Sequence, residues 1–197
     1  MLERKSAIAS GLARGSHPIR GQTGVRLGEI RGWSLLQLAG FPKGLESVER
    51  TLATVCGVAV PAEVGEVARS AGTLLMRTGP EQIWIVGSGE VFGGEQAIRS
   101  GVAPDAGAVT PLSHSRTRLV VEGTRAREVL AKGIAIDLLP DRFAVDRFAM
   151  TGLDHTPVVL HRAAGDRYEV YAMRTFALTV WDWLTDAALE FGYEVIS

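Results

Sequence analysis

Arg116-Thr117-Arg118-Leu119-Val120-Val121-Glu122-Gly123-Thr124-Arg125-Ala126-Arg127-Glu128-Val129-Leu130-Ala131-Lys132-Gly133 decides the fold class. Arg116–Val121 ends in an apolar, β-branched run that suits a strand. Gly123 leads into a helix over residues 124–132, with Thr124 as its N-cap and Ala126, Val129 and Leu130 as its apolar stripe. Gly133 is read as its closing residue. An earlier stretch has the same order: Trp33–Leu38 as a strand, a turn at Gly40-Phe41-Pro42, then Leu45, Val48, Leu52 and Val55 at helical spacing. Gly57 closes that helix by taking the left-handed conformation that glycine adopts cheaply. Gly57-Val58-Ala59-Val60 and Gly133-Ile134-Ala135-Ile136 extend the parallel.

Working outward, Thr73–Arg77 and Gln82–Val86 read as strands joined through Thr78-Gly79-Pro80-Glu81, a hairpin signal. A Gly-rich passage with one short helix runs from Gly87 to Gly107. Three strands follow the second helix: Arg147–Leu153, Thr156–His161 and Arg167–Ala172, the last two joined by Arg162–Asp166. A final helix over residues 175–190 puts Phe176, Val180, Trp183, Leu184, Ala187 and Phe191 on one face and leaves Trp181 about 100° away. The pattern is α+β: two ferredoxin-like split β-α-β halves with mainly antiparallel sheets, residues 32–107 and 108–197, forming a single domain over 32–197. Residues 1–31, rich in Gly and basic residues and without periodicity, read as an irregular arm, either disordered or laid against a partner.

Composition narrows the function classes. Lys and Arg total 21 against 22 Asp and Glu, a net charge of −1, and nucleic-acid or membrane-surface binding needs a basic field. No apolar run approaches the roughly 18 residues of a spanning helix. Cys56 is the sole cysteine, so an intrachain disulfide and a cysteine-based metal site are excluded, and a reducing, cytoplasmic location is expected.

Each candidate constellation has a plainer explanation. Gly87-Ser88-Gly89-Glu90-Val91-Phe92 carries Phe92 where a dinucleotide fingerprint needs glycine, which leaves a surface loop. His155 and His161, about 20 Å apart on an extended strand, cannot share a metal. In Ser113-His114-Ser115 the hydroxyl and imidazole of adjacent strand residues point to opposite faces, so they are not a nucleophile–base pair. Trp181 is read as exposed, either flanking its own core or anchoring a partner, and Trp183 as core. The residues supply no catalytic set and no metal site, which points to a subunit or a binding module.

Leu112–Gly123, continued by Ala126–Gly133 and Ile136-Asp137-Leu138, resembles the gamma subunit of heterotetrameric sarcosine oxidase. Arg77–Trp84, Tyr168–Tyr171, Arg174–Ala177 and Val180–Leu184 are similar to the same family, and the resemblance runs from Trp33 to the C-terminus. More distantly, the segment is similar to the folate-binding domain of aminomethyltransferases. Pro111 stands where that pattern has Asp. The later acidic pair falls near Asp154-His155-Thr156, and the Asn-Ala pair at Met173-Arg174, so Asp154 is the candidate remnant of a folate site.

The resemblance implies a complex that oxidatively demethylates sarcosine to glycine with oxygen and tetrahydrofolate, releasing hydrogen peroxide. FAD, FMN, NAD and tetrahydrofolate would lie in alpha and beta partner subunits, and this chain would carry no cofactor. Candidate partner contacts are His114, Arg116, Arg174 and Trp181. A free-standing folate-binding module or aminomethyltransferase-like protein is the alternative, as is the gamma subunit of a complex acting on another N-methyl amino acid. Self-association of the isolated chain is left open.

Overall fold

The structure, a computed structural model, describes residues 5–12, 15–19, 21–89 and 92–196. Expectations for residues 1–4, 13–14 and 20 of the arm, and for Glu90 and Val91 of the Gly-rich loop, lie outside the described residues. The chain forms two compact units. One joins residues 1–31 to 115–197, and the other holds residues 32–114. They are called the terminal and the inserted unit below.

In chain order, β1 (Gly15–His17) and β2 (Val25–Ile30) belong to the terminal unit. The inserted unit follows with β3 (Trp33–Gly40), α1 (Leu45–Cys56), β4 (Val67–Ser70), β5 (Thr73–Gly79), β6 (Gln82–Ser88), α2 (Glu95–Gly101) and β7 (Gly107–Pro111). Its sheet has the order β4-β5-β6-β3-β7, antiparallel throughout. Val48, Leu52 and Cys56 recur every third or fourth residue of α1 and are buried against Leu36, Leu38, Leu75, Ile83 and Ile85. Gly57 ends α1 at φ +67, its N–H donating to Ala53 O at 3.0 Å, the close expected of a left-handed glycine. Buried Arg77 ties the hairpin to the helix: Nη1 donates to Pro80 O at 2.7 Å and Nη2 pairs with Glu49 of α1.

The terminal unit resumes with β8 (Arg116–Glu122), α3 (Ala126–Ala131), β9 (Phe148–Leu153), β10 (Thr156–Ala164), β11 (Arg167–Met173), α4 (Ala177–Ala188) and β12 (Tyr193–Ile196). Its seven strands run β1-β12-β2-β8-β11-β10-β9, antiparallel except for the parallel pair β12–β2. Leu119, Val121, Leu160 and Val170 of the sheet pack with Val129 and Leu130 of α3 and Val180 and Leu184 of α4 in one core.

The two sheets share an order. β4-β5-β6-β3-β7 in the inserted unit corresponds to β9-β10-β11-β8-β2 in the terminal one. Each copy therefore has a strand before its hairpin and a helix after it, so α4 is the counterpart of α2. The position taken by β7 in one sheet is filled in the other by β2, from the segment expected to be irregular.

That expectation is corrected for residues 25–30. Val25 and Leu27 are fully buried, as is Ile8, and β2 pairs with β8, so that Arg26 and Arg167 flank Glu122 from the two neighbouring strands. A strand whose partner lies about ninety residues away leaves no local periodicity beyond its own six residues. Three further expectations change. Helix α3 starts at Ala126 with Arg125 at its N-cap position and no side-chain cap, so Thr124 does not cap it. Gly133 is not left-handed; a Cβ there would lie 2.4 Å from the ring of Trp183, so it permits a close approach. Trp181, expected to be exposed, is 1% exposed, and Trp183 is only partly buried. The covering group is residues 5–12: Ile8 joins the core, and the indole Nε1 of Trp181 donates to Gly11 O at 2.9 Å.

Candidate functional site

Titratable side chains gather most densely on the face of the seven-stranded sheet opposite the helices. Cross-strand pairing sets Tyr171 beside Arg118 and Val159, and Glu169 beside Val120 and His161. Glu169, with a side chain only 5% exposed, accepts from Arg118 Nε at 3.1 Å and Nη2 at 2.7 Å and from the Tyr171 hydroxyl at 3.1 Å. Nδ1 of the fully buried His161 lies 3.4 Å from Glu169 Oε2, and its Nε2 lies 3.6 Å from Asp146 Oδ1. Burial opposes ionisation of Glu169, but the His161 hydrogen bond and the Arg118 charge and hydrogen bonds overcome it, holding the carboxyl at about 2. A carboxylate fixed in its charged form by three donors is a poor proton carrier near neutrality. Sequence reasoning missed this cluster. The available signal was polar residues at matching positions of three otherwise apolar strands.

Asp154 opens the two-residue connection between β9 and β10 at φ +52, a conformation Asp tolerates better than most residues. Its N–H donates to Gly133 O at 2.9 Å, and its side chain, 56% exposed, faces His155 at 3.7 Å.

The candidate partner contacts separate. His114 is exposed in the turn before β8. Its neighbour Ser113 is engaged with the backbone of β3, where its Oγ accepts from Leu35 N–H at 2.9 Å and its hydroxyl faces Leu35 O at 3.3 Å. Arg116 is half-buried, and desolvation lowers its pKa from the ordinary arginine value. Arg174 is half-buried and donates to Lys5 O at 2.7 Å. Trp181 offers no surface, because residues 5–12 cover it. His161 is buried with Glu169 and Asp146, whereas His155 stands at the hairpin tip, so the two histidines share no site. Cys56 is buried, and desolvation pushes its thiol up to about 11, far from a nucleophile's range.

A concavity of about 800 Å³ in the terminal unit is bordered by Gln22–Gly24, Thr124, Arg125 and Phe191. Arg125 and Lys132 lie 4.6 and 4.7 Å from the Phe191 ring centre, and each is paired with a carboxylate, Glu128 at 2.6 Å and Glu190 at 2.7 Å. Among the described residues, no group of three or more His, Cys, Asp or Glu is placed to hold a metal ion, and no helix is long and apolar enough to cross a membrane.

Comparison with known proteins assigns this arrangement. The sarcosine oxidase, gamma subunit family matches residues 47–190. Sarcosine oxidase subunit gamma of Corynebacterium sp. (strain U-96) is 30% identical over 192 residues, covering 97% of this chain and 92% of the relative. A chain of the heterotetrameric sarcosine oxidase from Corynebacterium sp. U-96, solved in complex with pyrrole 2-carboxylate, superposes with a TM-score of 0.80 at 31% identity over 88% of each chain. Aminomethyltransferase T of the glycine cleavage system from Bartonella henselae shares the fold, with a TM-score of 0.66 at 19% identity over 89% of this chain and 48% of that one. The family match spans both units and the sequence identity extends along nearly the whole chain: it belongs to the sarcosine oxidase gamma subunit family.

Proposed function

We propose that the chain works as the gamma subunit of a heterotetrameric sarcosine oxidase-type complex and that its contribution is structural. The observation that carries this is the likeness, in sequence and in fold, to the gamma chain of such a tetramer along nearly its full length. The internal chemistry supports it. Glu169 is consumed by Arg118, His161 and Tyr171. Sarcosine would be demethylated to glycine in the alpha and beta subunits, which would hold FAD, FMN, NAD and tetrahydrofolate and release hydrogen peroxide. The folate-type fold here would be retained as a scaffold that keeps those chains in register. Exposed His114 and half-buried Arg116 and Arg174 are the proposed contacts from the original set.

Co-expression of the other subunits with and without this chain tests the proposal, read as sarcosine-dependent peroxide formation and the mass of the purified complex. Loss of the full-sized, active complex when the chain is omitted is expected. A fully assembled complex of unchanged activity without it overturns the proposal.

A further inference from the structure

We infer that the free edge of β9 is a docking site for an extended segment of another subunit, which adds to the seven-stranded sheet as a further strand; this rests on the subunit role proposed above. Four strands form sheet edges. Three are guarded in the ways natural edges are: β1 has three residues, β4 is four residues long and carries Arg69, and β7 ends in Pro111. The fourth, β9, is Phe-Ala-Met-Thr-Gly-Leu, six residues with neither charge nor proline.

Register shows which groups are open. The two-residue connection pairs Leu153 with Thr156, so hydrogen-bonded pairs fall at Leu153, Thr151 and Ala149, and the peptide groups of Phe148, Met150 and Gly152 point away from β10. Pro157, which has no N–H, sits opposite Gly152 in agreement with this alternation. The Gly152 end is closed by the bridge from Ile134 to Leu153 and by Asp154 N–H donating to Gly133 O. The open ladder is therefore centred on Met150, whose side chain is 63% exposed, with exposed Pro157 and 42%-exposed Met173 on the same face.

Alternating outward N–H and C=O groups are satisfied by extended backbone, and the methionine surface beside them suits apolar side chains on that strand. The occupant is a segment of a different subunit and not a second copy. Antiparallel self-pairing centred on Met150 would bring Asp146, just before the strand, towards Asp154, just after it, of the other copy at both ends, an approach of like charges that disfavours it.

Met150→Lys and Met150→Pro test the site in the full chain, co-expressed with the other subunits. Lysine charges the edge, and proline removes an N–H that the β9–β10 ladder does not use. Both free variants are expected to melt within about 3 °C of the parent chain, as exposed-site changes do, while their recovery with a tagged partner subunit falls at least about tenfold. In the unaltered complex, the Phe148 and Met150 amides should exchange with deuterium at least about tenfold more slowly than in the free chain. Normal assembly of both variants, or equal exchange of those amides in the two states, overturns the site. So does a free-chain dimer that Met150→Lys dissolves while assembly stays intact. Failure of the unaltered chain to enter any complex would instead remove the subunit role itself, and this inference with it.

Discussion

The inserted and terminal units build the same strand order from different resources. The inserted unit takes its fifth strand, β7, from its own continuous sequence, and its core lies between α1, α2 and one sheet face. The terminal unit fills that place with β2, adds β12 and β1 beyond it, and uses residues 5–12 to cover Trp181 on α4. It also buries ions on its second face, where the inserted unit buries Leu35, Met76, Trp84 and Val86. One topology can thus be closed locally or by recruiting sequence from far away.

Removing residues 1–31 is the strongest way to break that comparison. The deletion strips Ile8, Val25 and Leu27 from the core, each worth about 1.5–3 kcal/mol of buried apolar surface, together with the central strand ladder. The sum approaches the whole stability of a typical domain. The truncated chain should lose the cooperative thermal transition of its terminal unit, read by circular dichroism against the full chain.

Glu169→Gln sharpens the comparison at the second face. It leaves the buried Arg118 charge without its carboxylate and should cost about 3 kcal/mol in denaturant unfolding. The pH dependence has a definite sign. Folded Glu169 stays ionised down to about 2, whereas its ordinary value is 4.5. Its stabilisation is complete above pH 4.5 and drains away as pH falls from 4.5 towards 2. The Gln variant should lack that part of the acid-induced loss. An identical acid profile for both proteins would show that the cluster stores no such energy.

Gly133→Ala should cost about 1–3 kcal/mol, because the added methyl group meets the Trp183 ring and the core is already close-packed. The equivalent change at Gly57 strains a left-handed cap instead, so the two glycines that look interchangeable in sequence should respond for different reasons. Trp181→Phe is the smallest change. It removes one indole donor to Gly11 O and about 1 kcal/mol. Its readout is faster proteolysis within residues 5–12, with the rest of the chain untouched.

Most elements were legible because they obey local rules. Val- and Leu-rich strands β3, β6, β8 and β10, the hairpin turns and the α1 stripe all announce themselves within a dozen residues. The strands missed, β1, β2, β4, β7 and β12, are three to six residues long and hold their place through partners often distant in sequence; β12 pairs with Val25–Gly28 at the opposite end of the chain. The tryptophans were reversed for the same reason. Helical spacing reports which side of α4 faces the sheet, but the cover over Trp181 comes from residues 5–12, whose own sequence shows no periodicity. Glu169 was not singled out, since alternation assumes one wet face and this sheet has buried side chains on both. The motif carrying the family resemblance was visible for a different reason: it is continuous, running from Leu112 through one strand and one helix.

The pairing of β2 with both β8 and β12 also has a consequence for synthesis. A ribosome makes β2 among the first thirty residues, but its antiparallel neighbour emerges some ninety residues later, and its parallel neighbour comes with the last few. The intervening 32–114 segment can collapse and close its own sheet while the chain is still growing, since domains fold as units during translation. β2, made well before either partner, is therefore among the latest strands to be seated, and a nascent chain stalled before Tyr193 leaves it with one of its two partners missing.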